Sequence, residues 1–231
     1  MFVIRKKTVL IASVLLAVLL CGCLLLSALS ATAVSGNGMT IVLDAGHGGI
    51  DGGVVGVKSK VKESEINLCI VRYLETELTN AGFKVVLTRK SEGGLYSPTD
   101  KNKKKSDMLK RKKIIETAKP VAVVSVHQNK FPLSSRKGGQ VFFREDSASG
   151  RALAASIQQE FNLLCNSEHS SLKGDYYILN CTEYPSVIAE CGFLSNPEED
   201  ALLNTEAYQK KVAYALYKGI VSFIAQNVSQ S

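Results

Sequence analysis

The chain has 231 residues, 45% of them apolar, with 18 glycines, five prolines and no tryptophan, which allows one well-filled core and excludes a low-complexity polymer. Its formal charge is +7, but three of the 28 basic residues are Arg5, Lys6 and Lys7, so residues 34–231 carry 25 basic against 21 acidic side chains, a surplus of +4. With no reader motif and no basic stripe interleaved with aromatics, that surplus excludes a nucleic-acid binder.

Met1 to Lys7 is short and basic, Thr8 to Leu29 is almost wholly apolar, and Ser30-Ala31-Thr32-Ala33 closes the segment with small residues. Residues 1–33 are therefore expected to direct export, either as a cleaved signal peptide or as an uncleaved membrane anchor, since the apolar run exceeds the roughly 18 residues that span a bilayer. Leu20-Cys21-Gly22-Cys23 resembles a lipoprotein box only faintly, because apolar rather than polar residues follow it. Residues 34–38 read as a linker and 39–231 as a single domain working outside the cytoplasmic membrane, secreted or tethered.

Ile41-Val42-Leu43 predicts a first buried strand that runs through Asp44-Ala45 into a glycine turn, Gly46-His47-Gly48-Gly49. Lys62-Glu63-Ser64-Glu65 opens a helix whose apolar residues Ile66, Ile70, Tyr73, Leu74 and Leu78 share one face, and Asn80-Ala81-Gly82 ends it. Phe83 to Thr88 is a second strand and Arg89 to Lys105 a polar loop, in which the Lys101–Lys105 run is either solvated or in contact with an anionic wall polymer. A basic helix is expected over Ser106 to Ala118. The apolar run Val121 to Val126 predicts a fully buried strand ending in His127.

Further strands are expected at Gly139–Arg144, Tyr176–Leu179 and Ser186–Ala189, the last ending at Glu190, with helices at Ala148–Leu164 and Thr205–Ala225. The alternation predicts an α/β fold, a mostly parallel sheet flanked by helices, which binds ligands beyond the carboxyl ends of its strands. Cys69, Cys165, Cys181 and Cys191 lack the close spacing of a zinc knuckle or redox dithiol and read as core thiols.

His47, His127 and Glu190 each terminate a predicted strand, which would gather them at one rim of the sheet. Two imidazoles and a carboxylate are a ligand set for catalytic zinc, with water in the fourth position. His47 alone could equally cap a structural turn, and His169, in a polar stretch, reads as a surface residue. Glu63 and Glu65 are both candidates for the carboxylate ligand, and position does not choose between them. Glu190, enclosed by apolar sequence, is either a general acid/base or half of a buried ion pair.

Val42 to Gly49, Lys62 to Leu68, Thr88-Arg89, Ser125 to Asn129 and Ala189 to Pro197 follow one another as in the zinc-dependent N-acetylmuramoyl-L-alanine amidases of the type 3 family, which the chain resembles from Met39 to Ala225. The resemblance implies His47, Glu63 and His127 as zinc ligands, Glu190 as catalytic acid/base, and Asn129 and Arg111 as substrate-binding residues. It implies hydrolysis of the amide between the lactyl group of N-acetylmuramic acid and L-alanine of the peptidoglycan stem peptide, with zinc as the cofactor.

Gly174 to Leu179 before Pro185, and Cys191 within the last motif, are similar to the germination-specific amidases of spore-forming bacteria. That subgroup implies a spore-cortex substrate, a downstream peptidoglycan deacetylase that completes muramic-δ-lactam, and in some clostridia a lipoprotein partner. Ala45, Gln128 and Glu116 depart from the family pattern without touching an implied ligand. The rival readings are a peptidoglycan-binding module without turnover and a nucleotide-binding protein. For the second, Asp51 stands where the dinucleotide fingerprint needs a glycine.

Overall fold

The computed structural model describes Gly36 and residues 38–228. The expected leader, and all of the expected linker except Gly36 and Gly38, lie outside the described residues. Among those residues no helix is long and apolar enough to cross a membrane.

The predicted apolar runs form one six-stranded sheet, in the order β2-β1-β3-β6-β4-β5. Its strands are β1 (Thr40–Ala45), β2 (Lys84–Leu87), β3 (Ala122–Asn129), β4 (Gln140–Phe143), β5 (Leu172–Lys173) and β6 (Ser186–Phe193). Neighbours β2, β1, β3 and β6 run parallel, and β4 turns antiparallel against β6 with β5 alongside it. The sheet is mostly parallel, as expected, and its central strands are nearly continuous buried runs.

The helices are α1 (Glu63–Asn80), α2 (Lys103–Ala118), α3 (Ala148–Cys165), α4 (Tyr177–Asn180), α5 (Pro197–Leu203) and α6 (Glu206–Val228). α1 and α3 pack against α6 over one face of the sheet, while α2 and α4 cover the other. There Ile115, Ile178 and Leu179 bury against Val42, Val123 and Ile188.

Three expectations need correction. α2 begins three residues before the expected Ser106, because the Asn102 side chain accepts a hydrogen bond from Lys105 N at 3.0 Å and caps the helix there. Lys103, Lys104 and Lys105 are thus its first turn and not loop. Tyr176–Leu179 is not a strand: Leu179 N and Asn180 N both donate to Tyr176 O, closing a helical turn that buries Ile178 and Leu179. A four-residue apolar run carries too little periodicity to tell the two apart.

β3 and β6 also run on past the residues expected to end them. His127 lies opposite Glu190 and Asn129 opposite Phe193, so β6 carries one residue more than β3 between those pairs. A bulge of this kind continues the pairing while re-aiming side chains, and bulges gather next to active sites. An element that was not expected is α5, a separate short helix started by Asn196, whose side chain accepts from Glu198 N and Glu199 N, with Pro197 in its first turn.

Candidate active site

β1 ends at Ala45, and the chain then turns tightly enough to put His47 in the left-handed region, at φ 60°. Few side chains tolerate that backbone, and it persists only where the surroundings fix it. Two buried arginines do so here. Arg89 donates from Nε to Ala45 O at 2.8 Å and from Nη2 to Gly46 O at 3.0 Å, and Arg111 donates from Nη2 to His47 O at 2.7 Å and from Nη1 to Ala45 O at 2.9 Å.

Arg111 is itself anchored by Asp107, 2.5 Å from its Nε, and by Asp44, 2.5 Å from Nη1. Asp44 is 2% exposed and also accepts from Thr88 Oγ1 and Ser125 Oγ, each at 2.6 Å, which ties β1, β2 and β3 together beneath the turn. Burial alone would raise the Asp44 carboxyl, but the Arg111 guanidinium and the two hydroxyls outweigh it and hold it at about 2.

A carboxylate whose folded value lies below its unfolded value stabilises the protein above the unfolded value and loses that contribution as pH falls toward the folded one. For Asp44 the window runs from roughly pH 4 down to 2, and the contribution is about 2 kcal/mol. Asp44→Asn leaves Arg111 short of a buried counter-charge and is expected to cost about 3–5 kcal/mol at pH 7, lowering Tm by about 10 °C. Urea unfolding of both proteins should show the gap narrowing as pH is lowered through that window.

Three side chains meet above the turn. Glu63 Oε1 lies 3.2 Å from His47 Nε2 and 2.9 Å from His127 Nδ1, and the three potential ligand atoms all fall within 4.8 Å of one another. The imidazoles meet edge to face, with ring centroids 4.9 Å apart. Two imidazole nitrogens and one carboxylate oxygen at this spacing fit a divalent transition metal of the zinc type.

Of Glu63 and Glu65, between which the sequence left the choice open, Glu63 is the one that stands beside the two imidazoles. It is buried in the first turn of α1, whereas Glu65 points out to solvent. Glu63 Oε1 further accepts from Gln128 N at 3.1 Å and Asn67 Nδ2 at 3.3 Å, and Oε2 accepts from Val54 N at 2.8 Å. Burial opposes its ionisation, but the two imidazoles hold its carboxyl well below the usual carboxylate range.

Glycines make the approach possible. A Cβ on Gly46 would sit 2.2 Å from the His127 ring, and one on Gly53, at φ +69°, would sit 2.4 Å from Glu63 Oε2. Gly46 belongs to the glycine turn after β1, and Gly53 lies beyond it.

Glu190 stands opposite His127 across the β3–β6 pair, with its Oε2 buried and without a hydrogen-bond partner among the described residues. No cation pairs with it there, so the buried-ion-pair alternative does not hold. Burial pushes its carboxyl up to about 7, opposed by His127 and helped by Glu63. A carboxyl poised near neutrality is suited to taking and returning a proton.

Sequence reasoning missed Asp51. Its Oδ1 lies 2.9 Å from His47 Nδ1, so the carboxylate fixes the ring and leaves Nε2 facing Glu63 and His127. The signal was present, a carboxylate four residues after His47 in a glycine-rich turn, but only the bridge between Gly48 and Asp51 brings the two together.

Of the remaining expected residues, Arg111 lines the cavity beside His47 with four of its five donors engaged by Asp44, Asp107 and backbone oxygens. Asn129 ends β3, its Oδ1 accepting from Lys130 N at 2.7 Å. His169 sits apart, half-buried, with Nδ1 3.3 Å from Gly139 O. Cys69, Cys165, Cys181 and Cys191 are free thiols.

The N-acetylmuramoyl-L-alanine amidase family model matches residues 41–222, a span that contains every residue of the cluster. The germination-specific N-acetylmuramoyl-L-alanine amidase of Bacillus subtilis is 35% identical over 198 residues, covering 82% of this chain and 81% of the relative. Among solved structures, the CwlD amidase from Clostridioides difficile, in complex with the GerS lipoprotein, superposes with a TM-score of 0.78 at 36% identity over 81% of this chain and 99% of that one. The catalytic domain of CwlV, an N-acetylmuramoyl-L-alanine amidase of Bacillus (Paenibacillus) polymyxa, gives a TM-score of 0.69 at 28% identity over 84% and 99%. With its fold and most of its length in common with these hydrolases, the chain belongs to the N-acetylmuramoyl-L-alanine amidase family.

Proposed function

We propose that this chain is a zinc-dependent N-acetylmuramoyl-L-alanine amidase of the spore cortex, cleaving the amide between the lactyl group of N-acetylmuramic acid and L-alanine. The observation that carries the reading is the unpartnered Glu190 carboxyl set opposite His127, one of the three clustered ligand residues. His47, Glu63 and His127 would hold the ion. Bound zinc supplies Lewis-acid polarisation of the scissile carbonyl and activation of water near neutral pH.

The chain's own residues do the rest. Glu190 takes a proton from the attacking water and returns it to the nitrogen of the departing L-alanine, and burial keeps that proton within its reach. Asp51 holds the His47 ring, and Arg111 acts as a positioning residue that fixes the His47 backbone. Asn129, two residues beyond His127, orients the substrate.

The cortex assignment is supported by the likeness to the germination-specific relative and to the CwlD amidase. Residues 39–231 carry the catalysis behind a leader, 1–33, that exports the chain or anchors it, which puts it in the forespore intermembrane space or the cell wall. A lipoprotein partner fits the reading, since the CwlD amidase was solved in complex with one. Removal of stem peptides would then feed a peptidoglycan deacetylase.

Cortex and vegetative peptidoglycan should be digested separately and the products weighed. Free stem peptides with an L-alanine amino terminus are expected, released faster from cortex. Equal rates would remove the cortex assignment, and binding without release would favour the peptidoglycan-binding module.

A further inference from the structure

The lysine run that the sequence left between solvated loop and wall contact opens α2, and part of it forms a wall of the cavity. This cavity, of about 500 Å³, has His47 and His127 in one wall and Tyr96, Lys104, Met108 and Tyr177 in another. A neighbouring cleft of about 350 Å³ shares Lys104, Met108 and Tyr177 with it and adds Lys105 and Leu109. The two form one groove that leads from the clustered imidazoles over the first turns of α2 to α4.

The charges along this groove are unevenly used. Lys103 is engaged over the Tyr96 ring, with Nζ 5.8 Å from its centroid. The carboxylates that line the cavity are committed: Asp51 to His47 Nδ1, Asp107 to Arg111 and to Leu95 N, and Asp44 to Arg111, Thr88 and Ser125. Among the described residues, the lysine ion pairs are those of Lys112, Lys173, Lys210 and Lys218, so Lys104 and Lys105 keep exposed ammonium groups at the groove with no carboxylate in ion-pair reach. Beside them stand Met108, Leu109 and Tyr177, the last two 49% and 46% exposed.

We propose that this groove is the subsite for the peptide side of the substrate, with Lys104 and Lys105 pairing a free carboxylate of the stem peptide while Met108, Leu109 and Tyr177 pack its aliphatic side chains. The inference rests on the amidase reading and deepens it. A neutral glycan presents hydroxyl and acetamido groups, which call for paired donors and acceptors, whereas ammonium groups on an apolar wall complement an acidic peptide.

The test uses two soluble muramoyl-peptides that differ only in whether the stem carboxylates beyond L-alanine are free or amidated. For the wild type, kcat/KM is expected to favour the free acid by about fivefold at low ionic strength, and less as salt is added. Lys104→Met combined with Lys105→Met should bring the two substrates to within about twofold, as removal of an exposed ion pair does. Lys113→Met removes an equal charge elsewhere on α2, outside both clefts, and should retain the preference.

Equilibrium dissociation constants for both peptides are measured in parallel. If the wild type cleaves neither substrate the amidase reading fails, and the ratio of dissociation constants still decides the subsite. The proposal is overturned if the wild type treats the two peptides alike, if the double variant keeps the preference, or if Lys113→Met abolishes it equally.

Discussion

Glu190→Gln is expected to lower kcat by about 100- to 10,000-fold while the protein keeps its metal and its Tm. The amide has nearly the shape of the carboxyl, but it cannot take a proton from water or hand one to an amine. Oε2 of Glu190 is buried without a partner among the described residues, so the native fold already bears the burden of a desolvated carboxyl, and a neutral side chain relieves it. Stability should therefore hold or rise slightly, which separates a catalytic loss from unfolding. A variant that retained activity within about tenfold of wild type would remove Glu190 from the chemistry.

Glu63→Gln is expected to lower metal affinity by more than about 100-fold and to reduce hydrolysis to background, with the fold retained. Glu63 Oε1 is the point on which His47 and His127 converge, and it also accepts from Gln128 N and Asn67 Nδ2. Glutamine keeps an oxygen for those donors but removes the negative charge that a divalent cation needs, so the loss appears in metal content before it appears in Tm. Circular dichroism and metal analysis of the same preparation check this. A variant that binds one zinc as tightly as wild type would show that the carboxylate is not a ligand.

Much of this site was legible because each residue stood at the edge of a strong local pattern. His47 follows a β-branched run and sits among glycines, His127 ends the most apolar run in the described chain, and Glu190 interrupts another. The sheet type followed from the same alternation. Glu63 was not legible from position, since both acids at the start of α1 suit a helix N-terminus, and only tertiary packing buries one and exposes the other.

The supports of the site were hidden for a different reason. Arg89 reaches the Ala45 and Gly46 carbonyls, and Arg111 reaches Asp44, across separations of 43 to 67 residues, and no local pattern encodes such pairings. Asp51 is close in sequence to His47, yet its contact depends on the tight turn between Gly48 and Asp51. Two errors of secondary structure fell where packing outweighs local preference, the short turn at Tyr177–Asn180 and the bulge that carries β6 past Glu190, whereas the start of α2 and the whole of α5 are set by local caps, Asn102 and Asn196.

The most direct measurement is hydrolysis of a soluble muramoyl-peptide by the zinc-loaded protein in ¹⁸O-labelled water, followed by mass analysis of both products. One ¹⁸O in the lactyl carboxylate of muramic acid, with an unlabelled peptide that begins at L-alanine, is the predicted result. Label in a carboxylate of the peptide, or an intact lactyl–alanine amide after prolonged incubation, would contradict the account.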